Sequence, residues 1–364
     1  MNFTDFFAAS YVGARERFRR SAQAAGAATL EACTHPEERG PSGEALTVDV
    51  AHLGHRNGSR QLLVISGTHG QEGYAGSAAQ VAWLKSGDAA RIPADTGVLL
   101  VHGINPYGFA RGTRTTENNV DLNRNFVDHR KPHPVNVLYG ELREHLVPAH
   151  WSQDQLAAGD AGEKAFVERH GADALFDTLA RGQYVDPLGP FYGGVQREWS
   201  NLTLETIVRE HLGSAEKVGL IDWHTGIGER GQPFFLCFNE EGSSEQAEAA
   251  RWWGPDKVIG SRPNGLARPH YQGLVFYGVR SFLEGRQLAG AVIEFGTRGS
   301  VTGRALRLDQ WLRRHGAGLD ADVRQQMAAD VLDALNPVAE DWRDAVWQHG
   351  LALTQAALLG VASW

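Results

Sequence analysis

The most constraining feature of this sequence is a series of short apolar runs separated by helical patterns. Several runs are apolar almost without interruption, which is typical of strands covered on both faces. Helical patterns such as 73–86 and 199–212 lie between them. Because strands and helices alternate, we predict an α/β fold with a mixed, mostly parallel sheet and helices on both faces. The predicted strands are 45–53, 61–67, 97–104, 217–223, 233–238 and 290–296.

Three regions lie outside the predicted sheet. An N-terminal helix is predicted at about 10–26, where Ser10 can cap an amphipathic pattern. Residues 128–198 are helix-like in the middle and predict an excursion from the sheet, and about 305–364 is predominantly helical. Because there is no internal repeat and no linker, we predict a single domain over 1–364.

Charge and cysteine content exclude several classes of protein. The net charge of −8 argues against a nucleic-acid or anionic-membrane surface. Neither a secretory signal nor an apolar run of about 20 residues is visible, so we predict a cytoplasmic protein that does not bind membranes. The two cysteines, Cys33 and Cys237, lie far apart, which argues against a disulfide framework and a thiolate zinc site. A metal would therefore be held by histidine and carboxylate.

Two candidate motifs follow predicted strands in the first half of the chain. In VISGTHGQEGYAG (64–76), a glycine-rich turn presents His69 and Glu72, which are suitable zinc ligands. The alternative is a solvated pair in a surface turn, because HxxE alone is a weak signal. In 103–126, Arg114, Asn123 and Arg124 cluster around turn residues; guanidinium groups suit carboxylate recognition, although ordinary surface charges are the alternative.

Two more candidates follow later strands. His224, at the end of the run 217–223, can complete a three-ligand zinc site that leaves one position for water. Glu294 lies in the apolar run AGAVIEFGTRG (289–299), where a buried carboxylate is costly unless it has a task. A general base is such a task. We expect these motifs to lie together, because ligand sites collect at strand ends in open α/β sheets.

In this order the motifs resemble the zinc carboxypeptidase superfamily, which includes the metallocarboxypeptidases and the aspartoacylases, in an uncharacterised bacterial-type branch. The family pattern is HxxE, Asn-Pro-x-Gly, Asp-x-Asn-Arg-Asn, His and Glu, and it spans about residues 60–300 here. The resemblance implies a zinc-carboxypeptidase-like fold and one Zn²⁺ per chain. It implies that the metal ligands are His69, Glu72 and His224, and that Asp121 is the carboxylate that orients a ligand imidazole. It implies that the catalytic residues are Arg114 and Glu294. The implied substrate-binding residues are Asn123, Arg124 and Tyr271, with Tyr277 as the alternative tyrosine.

The resemblance also implies hydrolysis of an amide or peptide bond next to a free carboxylate, by metal-activated water, in a small peptide or acyl amino acid. The alternative is an aspartoacylase- or desuccinylase-like amidohydrolase of N-acyl amino acids, because the sequence around Glu294 is about as close to that branch as to the peptidases. That branch carries a small β domain at its C-terminus, whereas residues 305–364 are predicted to be helical, which favours the peptidase.

The long interval between Arg124 and His224 indicates that residues 128–198 cap the site and limit substrates to small ones. A catalytically dead binding module would lack a ligand or the base.

Overall fold

The computed structural model describes residues 2–260 and 262–364, and within them the strands form one seven-stranded sheet in the order β1-β2-β4-β3-β5-β7-β6. The strands are β1 Thr29–Arg39, β2 Ala45–Gly54, β3 Arg60–Ser66, β4 Thr96–His102, β5 Lys217–Arg230, β6 Pro233–Leu236 and β7 Gln287–Gly296. The helices are α1 Tyr11–Ala24, α2 Gly73–Lys85, α3 Pro106–Arg111, α4 Tyr139–Leu146, α5 Gln153–His170, α6 Ala172–Ala180, α7 Trp199–Leu212, α8 Ser244–Trp253, α9 Pro255–Val258, α10 Val275–Phe282, α11 Ser300–His315, α12 Ala321–Leu335 and α13 Glu340–Ala362.

The centre of the sheet is parallel. β3 pairs in parallel with β4 and β5, and β5 pairs in parallel with β7. The outer pairings, β1 with β2, β2 with β4 and β6 with β7, are antiparallel. The predicted mixed, mostly parallel α/β fold is therefore confirmed.

Helices cover both faces of this sheet. Leu62 and Val64 of β3 pack into a core built with α1, α2, α8 and α13. Leu63 and Ile65 alternate with them and pack on the opposite face with α7 and α10. The near-continuous apolar runs follow from this arrangement, since both sides of each central strand are buried.

The excursion and part of the C-terminal region pack on each other beside the sheet. Tyr139, Leu142 and Phe166 of α4 and α5 form a hydrophobic cluster with Trp311 of α11 and Val331 of α12. We call α4, α5, α6, α11 and α12 together the helical cap. α13 instead returns to the sheet core.

Two features differ from the sequence prediction. β1 was not predicted, because it is an exposed edge strand whose charged residues and Pro36 give no apolar pattern. β5 does not end before His224 but continues to Arg230, and its register against β7 shifts after Gly226. His224 therefore lies inside a strand. Within the described residues, no helix is both long and apolar enough to cross a membrane.

Candidate active site

The turn after β3 is the first part of the candidate site. It carries His69 and Glu72 between Ser66 and the start of α2. Glycine is required here by close approach, since a Cβ on Gly70 would lie 1.9 Å from the carbonyl carbon of Gly108. The glycine-rich sequence thus lets the turn pack directly against α3, which fixes the two side chains at the end of the sheet.

Three side chains converge as potential metal ligands. His69 Nδ1 lies 2.9 Å from Glu72 Oε1, and His224 Nδ1 lies 3.2 Å from Glu72 Oε2 and 3.2 Å from His69 Nδ1. All three residues are buried, and one ligand atom from each lies within 4.8 Å of the others. Two imidazole nitrogens and a carboxylate are a donor set typical of catalytic zinc sites.

The far nitrogen of each imidazole contacts a buried carboxylate. Asp121 Oδ1 lies 3.1 Å from His69 Nε2, and Asp222 Oδ2 lies 3.0 Å from His224 Nε2. Thr68 holds Asp222 in turn, by donating its hydroxyl over 2.9 Å. Burial disfavours the charged form of His224, yet Asp222 raises its pKa well above the usual value. These carboxylates direct both Nδ1 atoms toward Glu72.

The two carboxylates nearest His69 are held ionised. Burial would raise the pKa of Glu72, but the imidazoles of His69 and His224 outweigh burial and hold that pKa well below its usual range. Burial likewise opposes ionisation of Asp121, and the adjacent Arg114 guanidinium outweighs it and lowers the pKa. The Thr225 N–H adds a 2.9 Å hydrogen bond to Glu72 Oε2. The cluster thus presents negative charge at its centre.

Arg114 bridges the cluster and the surrounding loops. Its Nε donates to Asp121 Oδ2 over 3.0 Å, and one terminal nitrogen lies 3.4 Å from Glu72 Oε1. Its backbone N–H donates to Asp309 Oδ2 of α11 over 2.8 Å, and the guanidinium lies over the Phe191 ring at 5.4 Å. Arg114 is therefore fixed from both ends beside the potential metal ligands.

Arg124 is also a buried cation, but its contacts differ from those of Arg114. Among the described residues no carboxylate pairs with it within 4.0 Å, and its Nε has no hydrogen-bond partner. Burial lowers the pKa of Arg124, with Asp121 acting in the opposite direction. Its guanidinium lies 5.3 Å from the Tyr271 ring centre. Asn123 accepts the Val275 N–H over 2.8 Å, which ties this segment to α10.

Glu294 lies beside His224 across the sheet, because the two residues are register partners in β7 and β5. The carboxylate is buried and accepts the Ile227 N–H over 3.3 Å. Burial and the neighbouring Glu72 carboxylate raise the pKa of Glu294 to about 7. A carboxylate with such a pKa is suited to accepting and returning a proton near neutral pH.

One cavity of about 310 Å³ collects the residues that the sequence singles out: His69, Glu72, Arg114, Asn123, Arg124, His224, Tyr271 and Glu294 line it. Asp121 lies behind His69, and Tyr277 does not line this cavity. The sequence motifs predict no role for Asp222 or Asp309. The Asp-x-His spacing in a strand, which places both side chains on one face, could have indicated Asp222; no local pattern indicates Asp309.

Comparisons with known proteins give a family and a set of similar folds. A family model described as protein of unknown function (DUF2817) matches residues 7–349. No curated protein matches the sequence.

The chain is similar to three solved structures among others. Bovine thrombin-activatable fibrinolysis inhibitor, in complex with tick carboxypeptidase inhibitor, is 12% identical over 90% of this chain and 96% of that one, with a TM-score of 0.46. A metallo-carboxypeptidase from Burkholderia cenocepacia is 14% identical over 96% and 69% (TM-score 0.41), and one from Pseudomonas aeruginosa is 15% identical over 93% and 69% (TM-score 0.36).

Proposed function

This chain belongs to the DUF2817 family, and we propose that it is a zinc-dependent hydrolase of the carboxypeptidase type, which cleaves an amide bond next to a free carboxylate. One observation carries the proposal. The potential metal ligands, the buried Glu294 carboxylate and the unpaired Arg124 guanidinium line the same cavity. A buried cation without a counter-ion is costly, so its position favours an anionic ligand.

The residues present fit a divalent cation. Glu72, Asp121 and Asp222 are buried carboxylates around the two imidazoles, and Arg114 is the cation that pairs with Glu72 and Asp121, so with neutral imidazoles the formal charge of this group is three negative against one positive. A dication would balance that difference. His69, Glu72 and His224 would hold it, and a bound zinc ion would supply Lewis-acid polarisation and an activated water molecule.

The remaining chemistry belongs to the side chains. Arg124, with Asn123, binds the substrate carboxylate through a charge-assisted hydrogen bond and so fixes the scissile bond in the cavity. Glu294 takes a proton from the attacking water and returns it to the departing amine. Arg114 stabilises the negative charge that develops on the carbonyl oxygen as the bond breaks.

The proposal is tested first by metal content. Purified protein loaded with zinc should hold about one ion per chain in elemental analysis, because three ligands of the right type converge. His224→Ala should lose the ion, whereas His150→Ala, which removes an exposed histidine, should retain it. Full zinc content in His224→Ala would exclude His224 as a ligand.

The second test concerns the substrate carboxylate. Amidating this group in a small N-acyl amino acid or dipeptide should lower kcat/KM of the native enzyme roughly 10- to 100-fold, the value of a hydrogen bond to a charged group. Arg124→Ala should already have this lower kcat/KM on the substrate with a free carboxylate, and amidation should lower its kcat/KM little further. Arg130→Ala, which removes an exposed arginine, should behave like the native enzyme. Indifference of the native enzyme to amidation would contradict the proposal.

An N-acyl amino acid amidohydrolase is the second candidate for the same site. The small volume of the cavity favours it, since about 310 Å³ lies at the low end for small-molecule sites. Relative kcat/KM on matched dipeptides and N-acyl amino acids separates the two activities.

A further inference from the structure

Two helices outside the sheet line part of the cavity that holds the candidate site. Phe176, Leu179 and Ala180 of α6 line it, and so do Thr302 and Leu306 of α11. The spacing within each set places its members on one helical face. Both helices belong to the helical cap, so the cavity lies between the end of the sheet and this cap.

The cap is fastened to the segment that carries Tyr271. Asp177 of α6 accepts the His270 N–H over 2.6 Å, and Asp173 accepts the Ala267 N–H over 2.9 Å. These bonds join α6 to the segment just before α10, so both walls are held in place together.

The segment after α6 also packs on Arg124. A Cβ added to Gly182, whose φ is +97°, would lie 2.6 Å from Arg124 Cδ. The Tyr184 hydroxyl donates to the Arg124 carbonyl oxygen over 2.7 Å. The segment that follows α6 therefore lies directly beside Arg124, the proposed carboxylate site.

The chemistry of the walls restricts what the cavity can hold. Within the described residues, the cap helices contribute only uncharged side chains to the lining. Further apolar side chains line the rest of the cavity, and these include Phe191, Ile227, Leu236, Phe238, Leu274 and Val292. Apart from the groups assigned to the chemistry, the surroundings are thus predominantly apolar, and the volume of about 310 Å³ is that of a small-molecule site.

We infer that the cavity takes a small substrate with one carboxylate and apolar groups on both sides of the amide, of the size of an N-acyl amino acid or a dipeptide, and that α6 excludes longer peptides. The inference rests on the proposed function for the role of Arg124. Phe176 and Leu179 line the cavity, so we expect a longer chain bound through its carboxylate to meet these side chains. The bonds of Asp173 and Asp177 tie α6 itself to the segment before α10.

Binding tests the inference without relying on turnover. Titration calorimetry on the zinc-loaded Glu294→Gln protein would compare acetyl-leucine, acetyl-alanyl-leucine and acetyl-tetraalanyl-leucine. We expect the longest ligand to bind at least about tenfold more weakly than the two short ones. Adding Phe176→Ala or Leu179→Ala should restore its binding about tenfold while changing acetyl-leucine binding less than threefold.

Val185→Ala is the matched control, because it shortens an exposed side chain after α6 that does not line the cavity. Thermal unfolding of each variant checks the fold, and Phe176→Leu replaces Phe176→Ala where the latter does not fold.

Equal binding of long and short ligands to the parent protein would overturn the inference, as would long-ligand binding that neither α6 substitution improves. Failure of every ligand to bind would also overturn it. Binding of the short ligands without hydrolysis by the zinc-loaded native protein would support the inference and contradict the proposed hydrolase.

Discussion

At the scale of single residues, the candidate site is a set of buried charges that hold one another in place. Asp121 contacts both His69 and Arg114, and Asp222 contacts His224. Each ion in such a group is costly to bury alone, so each position constrains the next. Glu294 differs, because its carboxylate accepts a hydrogen bond from the Ile227 N–H and pairs with none of these charged side chains. The carboxylate is therefore available to exchange a proton.

We predict that Glu294→Gln retains zinc and fold but loses turnover. The amide keeps the size of the side chain and can still accept the Ile227 N–H, while it can no longer act as a base. General acid–base catalysis contributes about 10²–10⁴-fold, so kcat should fall by at least that range. Zinc content, thermal unfolding and kcat should be measured on one preparation. Near-native turnover would remove Glu294 from the mechanism, and loss of zinc would make it a metal ligand.

The sequence predicts most of these residues because they lie in motifs within or after apolar runs that indicate strands. It predicts less well the residues that hold these side chains in place. Asp309 lies far along the chain from Arg114, and the bond between them exists only because α11 packs beside the α3 loop. Such a contact depends on tertiary packing, which leaves no local pattern in the sequence.

At the scale of secondary-structure elements, strand register brings the chemistry together. His224 and Glu294 are partners across β5 and β7, so their side chains lie on the same side of the sheet. The central strands are predictable because burial on both faces makes them apolar throughout. β1 is not, since an exposed edge strand has no such requirement. The partners within the helical cap are equally unpredictable, because amphipathic patterns indicate helices but not which helices pack together.

We predict that Asp309 positions Arg114 for catalysis. Asp309 accepts the Thr113 hydroxyl over 2.7 Å and the Arg114 N–H over 2.8 Å, and thereby joins α11 to the loop that carries the guanidinium. Asp309→Ala should lower kcat roughly 10- to 100-fold through misplacement of Arg114, with a smaller change in KM and unchanged zinc content. Asp309→Asn, which retains one acceptor, should recover part of kcat.

Asp154→Ala is the control for that experiment, because Asp154 is an exposed carboxylate in the same helical cap. A parallel change in KM and zinc content in Asp309→Ala would indicate a general structural role. Unchanged kcat would show that Arg114 is held without α11.

At the scale of the whole molecule, the dependence of stability on pH includes contributions from buried histidines that do not line the cavity. Burial lowers the pKa of both His52 and His102 to about 4. His102 contacts the Ser77 hydroxyl at 2.9 Å and stacks on Phe18, and His52 contacts Gln61 at 3.0 Å. Both histidines are therefore neutral in the folded chain above about pH 4.

In the unfolded chain these histidines bind protons below about pH 6.5, so the unfolded state gains protons first as the pH falls. Their contribution to stability is thus complete above pH 6.5 and is lost progressively between pH 6.5 and about 4. At pH 5 the loss should be about 2 kcal/mol for each histidine. Buried carboxyls whose pKa is raised by burial, such as Glu198 and Asp309, act in the opposite direction over this range.

We therefore predict that His102→Gln makes the protein less sensitive to acid, even where it lowers stability at neutral pH. Glutamine can still bond Ser77 but does not titrate, so the difference in free energy of unfolding between native protein and variant should shift by about 2 kcal/mol in favour of the variant from pH 7 to pH 5. The carboxyl contributions cancel in this comparison. Denaturant unfolding at both pH values measures it, with His150→Gln, at an exposed histidine, as the control. An equal loss of stability in the native protein and in His102→Gln would show that His102 is not a source of acid sensitivity.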